Sequence, residues 1–248
     1  MNFTILRFDS IDSTNTEALK RARDGADEGV CVVAKQQTAG RGRHGRVWES
    51  PDCAGLYLSI VLRPKTEPKY LPLITLAAGV AVHDALTEIG LMPDIKWPND
   101  VLVNERKISG ILAEMCENRS GVAVIVGIGI NLTSNNFPAE ISENATSIEA
   151  ELKRKIASHD LEAPLLKYFD NFYSLLIGDR GPENILDEWN RRSSYAKGKG
   201  VRVATENGPI TGITDGLETN GALRVRTNGG AIAIVQAGDV QLLREGTD

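Results

Sequence analysis

Between two apolar runs, Val30–Lys35 and Gly55–Leu62, the chain reads Gln37-Thr38-Ala39-Gly40-Arg41-Gly42-Arg43-His44-Gly45-Arg46-Val47-Trp48. Glycine at this density is unfavourable inside a helix or a strand, so the segment reads as a loop and its flanks as strands. Three arginines alternate with three glycines in a chain whose formal net charge is -5, so the local positive charge does not echo bulk composition. Glycine lets backbone approach a ligand closely, and arginine offers a planar fork of donors for phosphate or carboxylate oxygens. The segment therefore predicts an anion site, on a loop that orders when the anion arrives.

The bulk numbers suit a soluble globular protein. A chain of 248 residues accommodates one large domain, or one large and one small. Its 42% hydrophobic and 25% charged content are ordinary for that class. The acidic balance argues against general nucleic-acid binding. Cys31, Cys53 and Cys116 are odd in number and widely spaced, which points away from a disulfide framework or zinc site and towards a reducing compartment. The N-terminus has no basic segment followed by a long apolar run, and no apolar stretch is read as reaching the roughly 20 residues that span a bilayer. The expectation is a cytoplasmic protein without membrane contact.

Further along, Phe3–Phe8 reads as a strand. Thr14-Asn15-Thr16-Glu17 reads as a capping box that opens a helix running to about Asp24. Leu71–Ile89 has the spacing of a long amphipathic helix closed by Gly90. Lys96–Val103 and Lys107–Glu114, joined by the polar turn Asn104-Glu105-Arg106, read as a β-hairpin. Val122–Asn131 is a strand, 135–147 a polar loop, and Leu161–Ile177 and Pro182–Arg192 are helices. After Ser193 the texture changes to short β-rich runs punctuated by glycine, as in a small all-β barrel. The predicted division is 1–193 and 194–248.

Several residues carry chemistry or structure equally well at this level. Trp48 suits a core position or a stacking face for a heterocycle. Lys107 suits a solvated strand edge, and Ser13-Thr14-Asn15 a helix start. Gly127 and Gly129 lie inside a strand and lack a third glycine at dinucleotide-fingerprint spacing, so close backbone approach explains them better. His44, His83 and His159 are scattered, with no metal or triad arrangement. An RNA-contacting patch is an alternative for the arginine loop, disfavoured by the charge balance.

The order of these motifs is more specific than any one of them. Ser-Thr-Asn at 13–15, the Gly-Arg loop, Lys96-Trp97-Pro98-Asn99-Asp100, Lys107-x-x-Gly110-Ile111-Leu112-x-Glu114 and Gly129-Ile130-Asn131 together resemble the biotin protein ligases. The resemblance runs from Phe8 into the C-terminal β region. It implies an α+β fold: a catalytic domain related to class II aminoacyl-tRNA synthetases, with a mixed sheet flanked by helices, and a C-terminal SH3-like barrel. Relatives that double as repressors carry an N-terminal winged helix. Nine residues precede Ser10 here, so the ligase-only class, without DNA binding, is the expectation. His44 stands where some relatives have arginine. Lipoate–protein ligase is the competing enzyme of the same broad fold, and a non-transferring sensor of the adenylate the competing binder.

The resemblance also implies a reaction and its residues. Biotin and ATP with Mg2+ give biotinyl-5′-AMP and pyrophosphate, and the biotinyl group then passes to a lysine of a biotin carboxyl carrier protein. Ser13, Thr14, Asn15 and Gln37 hold the ureido ring, with Gly40, Arg41, Lys107 and Gly110 completing the biotin site. Arg41, Gly42, Arg43, Arg46 and Asn99 face the nucleotide, Trp48 packs on adenine and Asn131 bonds its edge. Arg43 and Lys107 draw carboxylate and phosphate together. Asp100 either assists the acceptor lysine or is a turn carboxylate. Mg2+ arrives mainly on ATP rather than in a protein-made site. Monomer and homodimer both remain open.

Overall fold

The computed structural model describes residues 1–118, 121–134 and 137–243. In chain order the elements are β1 (Thr4–Ile11), α1 (Thr14–Arg23), β2 (Val30–Gln37), β3 (Gly55–Leu62), α2 (Leu73–Glu88), β4 (Asp94–Lys96), β5 (Asp100–Val103), β6 (Arg106–Asn118), β7 (Gly121–Asn131), α3 (Ala139–Ser142), α4 (Ile148–Leu152), α5 (Ser158–Ile177) and α6 (Gly181–Arg192). Five strands follow: β8 (Lys197–Ala204), β9 (Ile210–Leu217), β10 (Leu223–Thr227), β11 (Ile232–Val235) and β12 (Asp239–Leu242).

The first seven strands form one mixed sheet in the order β1-β2-β3-β7-β6-β5-β4. Only β1 and β2 run parallel, and α1 is the crossover that a parallel pair needs. Ala18, Leu19 and Ala22 of α1 pack on Val32, Val61, Ala123 and Ile125. The other face carries α2, α5 and α6 over Leu58, Ile60, Val126 and Ile128. With both faces covered, β3 is buried at every position, which is why it reads as a continuous apolar run.

The hairpin β5–β6 turns at Asn104 (φ 51°) and Glu105 (φ 61°), two consecutive left-handed residues, as a tight two-residue turn requires. The sequence reading of this hairpin holds, but it misses β4 and the short helices α3 and α4. Of the polar loop expected over 135–147, residues 135 and 136 lie outside the described residues.

Two further expectations are corrected. The helix α1 starts where predicted, but its N-cap is Ser13 and no side chain caps it. Thr14 spends its hydroxyl on Gln37 instead. The helix α2 is not amphipathic: eleven of its sixteen residues are buried, because sheet, α5 and α6 surround it. Together with the preceding turn, Pro68–Glu88 is also long and apolar enough to cross a membrane, against the sequence reading, but 61% of its most apolar 18-residue stretch is buried inside the fold. It is a core helix by packing.

The C-terminal strands form a five-stranded antiparallel sheet, β11-β10-β9-β8-β12. The change of texture near Ser193 falls between α6 and β8. Val201, Val203, Leu223 and Val225 of this sheet join the same apolar cluster as α2. Ser193 Oγ donates to Ile95 O at 2.5 Å and the buried Trp97 indole N–H to Gly221 O at 2.9 Å. The small sheet is thus packed against the Lys96–Asp100 segment, next to the arginine loop.

Candidate active site

The arginine loop is a built turn. Gly42 N donates to Arg46 O at 2.7 Å, Arg46 N to Arg43 O at 3.1 Å and Trp48 N to Gly40 O at 3.0 Å. Its tip, Arg43–Gly45, is a single 3₁₀ turn with His44 left-handed at φ 55°. A side chain at Gly40 would collide with Trp48 O and Ser50 Oγ, so glycine is needed there for the return strand to pass. The sequence reading expects ordering only on ligand arrival; the loop already carries its own backbone bonds.

Beneath the loop lies a floor without side chains. Gly110 and Gly129 pair across β6 and β7, and the Trp48 indole lies on them. A Cβ on Gly129 would come within 2.5 Å of Trp48 Nε1, and one on Gly127 would collide with Asn15 Oδ1. Close approach is thus the reason for both glycines, as their position inside a strand implies. Lys107 Nζ stands 5.4 Å from the Trp48 ring centre. The Trp48 indole N–H has no hydrogen-bond acceptor among the described residues.

One end of the cleft is neutral and hydrogen-bonding. Gln37 Oε1 accepts from Thr14 N at 2.8 Å and Thr14 Oγ1 at 3.1 Å, and Gln37 Nε2 donates to Ser50 Oγ at 2.7 Å. Ser50 Oγ in turn donates to Trp48 O at 2.9 Å. Ser59, buried in β3, donates to Asn15 Oδ1 at 2.6 Å. Ser13, Thr14 and Asn15 are themselves buried. The start of α1 therefore presents hydroxyl and amide groups, with the side chains of Thr14 and Asn15 each held by fixed partners.

The other end is charged. Arg43 Nη1 donates to Asn99 Oδ1 at 2.9 Å and lies 3.5 Å from Asp239 Oδ1. Arg46 pairs with the same Asp239. Burial pulls the Arg43 guanidinium below its ordinary value, opposed by the charges of Asp239 and Asp100. Lys107 Nζ lies 2.6 Å from Asp100 Oδ1, and Lys96 Nζ 3.7 Å from Asp100 Oδ2. Arg41 leaves this group and pairs with Glu114 at 2.7 Å.

The two ends share one cleft with about 120 Å³ of free volume. It is lined by Ser13, Thr14, Asn15, Gln37, Arg41, Gly42, Arg43, Arg46, Trp48, Asn99, Asp100, Lys107 and Gly110, all expected from the sequence. Two expected residues stand apart from the lining. Gly40 is buried in the neck of the loop. Asn131 spends its amide on Lys107 O at 3.5 Å and Thr146 O at 3.0 Å, so its hydrogen bonds go to backbone rather than into the cleft. Asp239 lines the cleft but has no local motif; only the docking of the small sheet brings it there. Ser59 was legible as the one serine in the apolar strand β3. Among the described residues, no three His, Cys, Asp or Glu side chains stand together as a metal site would need.

Residues 7–131 match the model of the biotin/lipoate A/B protein ligase family, and residues 198–243 that of the biotin protein ligase C terminal domain. The bifunctional ligase/repressor BirA of Bacillus subtilis is 38% identical over 96% of this chain and 74% of its own length. The biotin–[acetyl-CoA-carboxylase] ligase of Mycobacterium tuberculosis is 36% identical over 94% of this chain and 86% of its own. Among solved structures, the Aquifex aeolicus biotin protein ligase in complex with biotin and ATP superposes with a TM-score of 0.84. It is 31% identical, and the match covers 98% of this chain and 99% of that one.

Proposed function

The chain belongs to the biotin/lipoate A/B protein ligase family, and from that membership we infer how its cleft works. Its activity is that of a biotin protein ligase, with biotin and ATP as substrates. The observation that carries the assignment of roles is a hydroxyl-and-amide end and a cationic end facing each other across one glycine floor. Biotin has the same polarity: a compact ureido ring of neutral donors and acceptors, and a carboxylate. We propose that Ser13, Thr14, Asn15 and Gln37 take the ring, and that Arg43, Arg46 and Lys107 take the carboxylate and the ATP phosphates.

In the first step a carboxylate oxygen attacks the α-phosphorus and pyrophosphate leaves. No general base is needed, because a carboxylic acid of pKa about 4 is already ionised at neutral pH. The barrier is the approach of two anions, which preorganised cations lower. Arg43 and Lys107 are held ready by Asp239 and Asp100, and the substrate oxygens take over those contacts. Trp48 closes over the adenine, and Asn99 steadies Arg43. Asn131 supports the Lys107 backbone instead of reading the adenine edge.

In the second step the neutral amine of a carrier lysine attacks the acyl carbon, AMP leaves, and the amine gives up a proton. Asp100 already serves two ammonium groups, so we assign it to the positioning of Lys107 rather than to proton transfer. The pocket carboxylates Asp100 and Asp239 are both ion-paired and form no cage. Mg2+ is therefore proposed as a companion of the ATP phosphates, and no step is routed through it. The acceptor is proposed to be the carrier domain of a biotin-dependent carboxylase, in the cytoplasm, with 1–193 and 194–248 as two cooperating units. Mass spectrometry of such a carrier domain, incubated with the protein, biotin and ATP, tests the transfer. Addition of one biotinyl group at one lysine is expected; an unmodified carrier and hydrolysed adenylate would overturn it.

A further inference from the structure

Glu114 belongs to no group of cleft-lining residues, yet it touches two of them. Its Oε1 accepts from Arg41 Nη2 at 2.7 Å, and its Oε2 accepts from Asn15 Nδ2 at 2.9 Å. Asn15 Nδ2 also donates to Leu112 O at 3.2 Å. Both of these oxygens can only accept, so both amide hydrogens of Asn15 are committed away from the cleft. The opposite atom, Asn15 Oδ1, accepts from Ser59 Oγ at 2.6 Å and lies over the bare backbone of Gly127. An amide has two nearly isosteric orientations, and its neighbours decide between them. Here two neighbours decide, the Leu112 carbonyl and the Glu114 carboxylate, and the carboxylate makes the shorter, charge-assisted contact. The only capacity Asn15 has left for a ligand is the second lone pair of Oδ1, an acceptor.

We propose that Glu114 is a positioning residue for substrate selection: by fixing the Asn15 amide it makes this corner of the cleft demand an N–H donor from the ligand's ring. The proposal rests on the ligase reading above. By holding Arg41 with its other oxygen, the same carboxylate ties the neck of the arginine loop to that choice. A ligand that presents an oxygen where the ring N–H should be meets an acceptor with no proton between them, a mismatch a rigid polar site rejects strongly.

The test compares binding of biotin with binding of its two cyclic carbamate analogues, in which one or the other ureido N–H is replaced by oxygen. Calorimetry without ATP gives the dissociation constants. The native protein should reject one of the two analogues by about 100-fold relative to biotin. In Glu114→Gln, of the same size, an amide N–H competes with the Asn15 amide, and the orientation of Asn15 is left to the longer bond to Leu112 O alone. Biotin should then bind about tenfold more weakly, and the rejection of that analogue should fall to within about tenfold. Glu114→Ala, which adds no competing donor and leaves the bond to Leu112 O, should shift both quantities in the same direction but less far. Weaker biotin binding with an unchanged analogue ratio would show a merely structural role and overturn the proposal, as would unchanged biotin binding. A native protein that binds no biotin would instead overturn the ligase reading.

Discussion

Arg43, at the tip of the arginine loop, and Asp239, the first residue of β12, form an ion pair at 3.5 Å across the cleft. Arg46 joins the same carboxylate. The small C-terminal sheet therefore helps to hold the loop that faces the ATP phosphates. In Asp239→Ala both arginines lose their shared partner. Trypsin cleavage between Arg41 and Arg46 should accelerate, and the KM for ATP should rise about three- to tenfold while that for biotin changes little. Parallel initial-rate and limited-proteolysis measurements check this; an unchanged KM with unchanged cleavage would remove Asp239 from the account.

The two glycines of β7 support different ends of the cleft. A methyl group at Gly129 would strike the Trp48 indole, and one at Gly127 would strike the Asn15 amide. Overpacking of this kind costs about 1–3 kcal/mol. Gly129→Ala should raise the KM for ATP at least fivefold, and Gly127→Ala should do so for biotin. The reciprocal parameters should stay within about twofold. Both variants affecting both substrates equally would contradict the division of the cleft.

Removing a cation from the reacting end should slow chemistry more than binding. Lys107→Ala should reduce the rate of adenylate formation by about 10²–10³-fold in single-turnover experiments. Arg43→Ala should also speed the loss of preformed biotinyl-AMP, because the loop then shields the anhydride poorly. Unchanged kinetics in both variants would remove this site model.

Stability should carry a pH signature away from the cleft. Burial raises the Asp84 carboxyl, but bonds from His83 and Arg192 outweigh it and hold the group below its ordinary value. A carboxyl depressed by folding contributes stability above its unfolded pKa of about 3.9, and loses it as pH falls through the folded value. Asp84→Asn should therefore cost up to about 1 kcal/mol at pH 7, and the gap from the native protein should close as the pH falls below about 4. Thermal unfolding across pH 3–7 measures this gap, and a gap independent of pH would contradict it.

Most of the cleft was legible in the sequence because its residues come in short, ordered motifs. The loop from Gln37 to Trp48 advertises itself by charge against an acidic background, and Lys96–Asp100 and Lys107–Glu114 flank a hairpin whose turn residues are readable. Asp239 was not legible: an aspartate at the start of a short strand has no local signature, and its partner Arg43 is reached only through tertiary packing. The capping reading of Thr14 failed because a half-buried glutamine, Gln37, competes for the same hydroxyl. The helix α2 was read as amphipathic because sequence spacing does not show that α5 and α6 cover its outer side.

The central claim is that this cleft joins biotin to ATP, and isotope exchange between ATP and pyrophosphate measures it most directly. The account predicts exchange that depends on biotin, is lost in Lys107→Ala, and is not supported by lipoate. Exchange driven by lipoate, or exchange that ignores biotin, would contradict it.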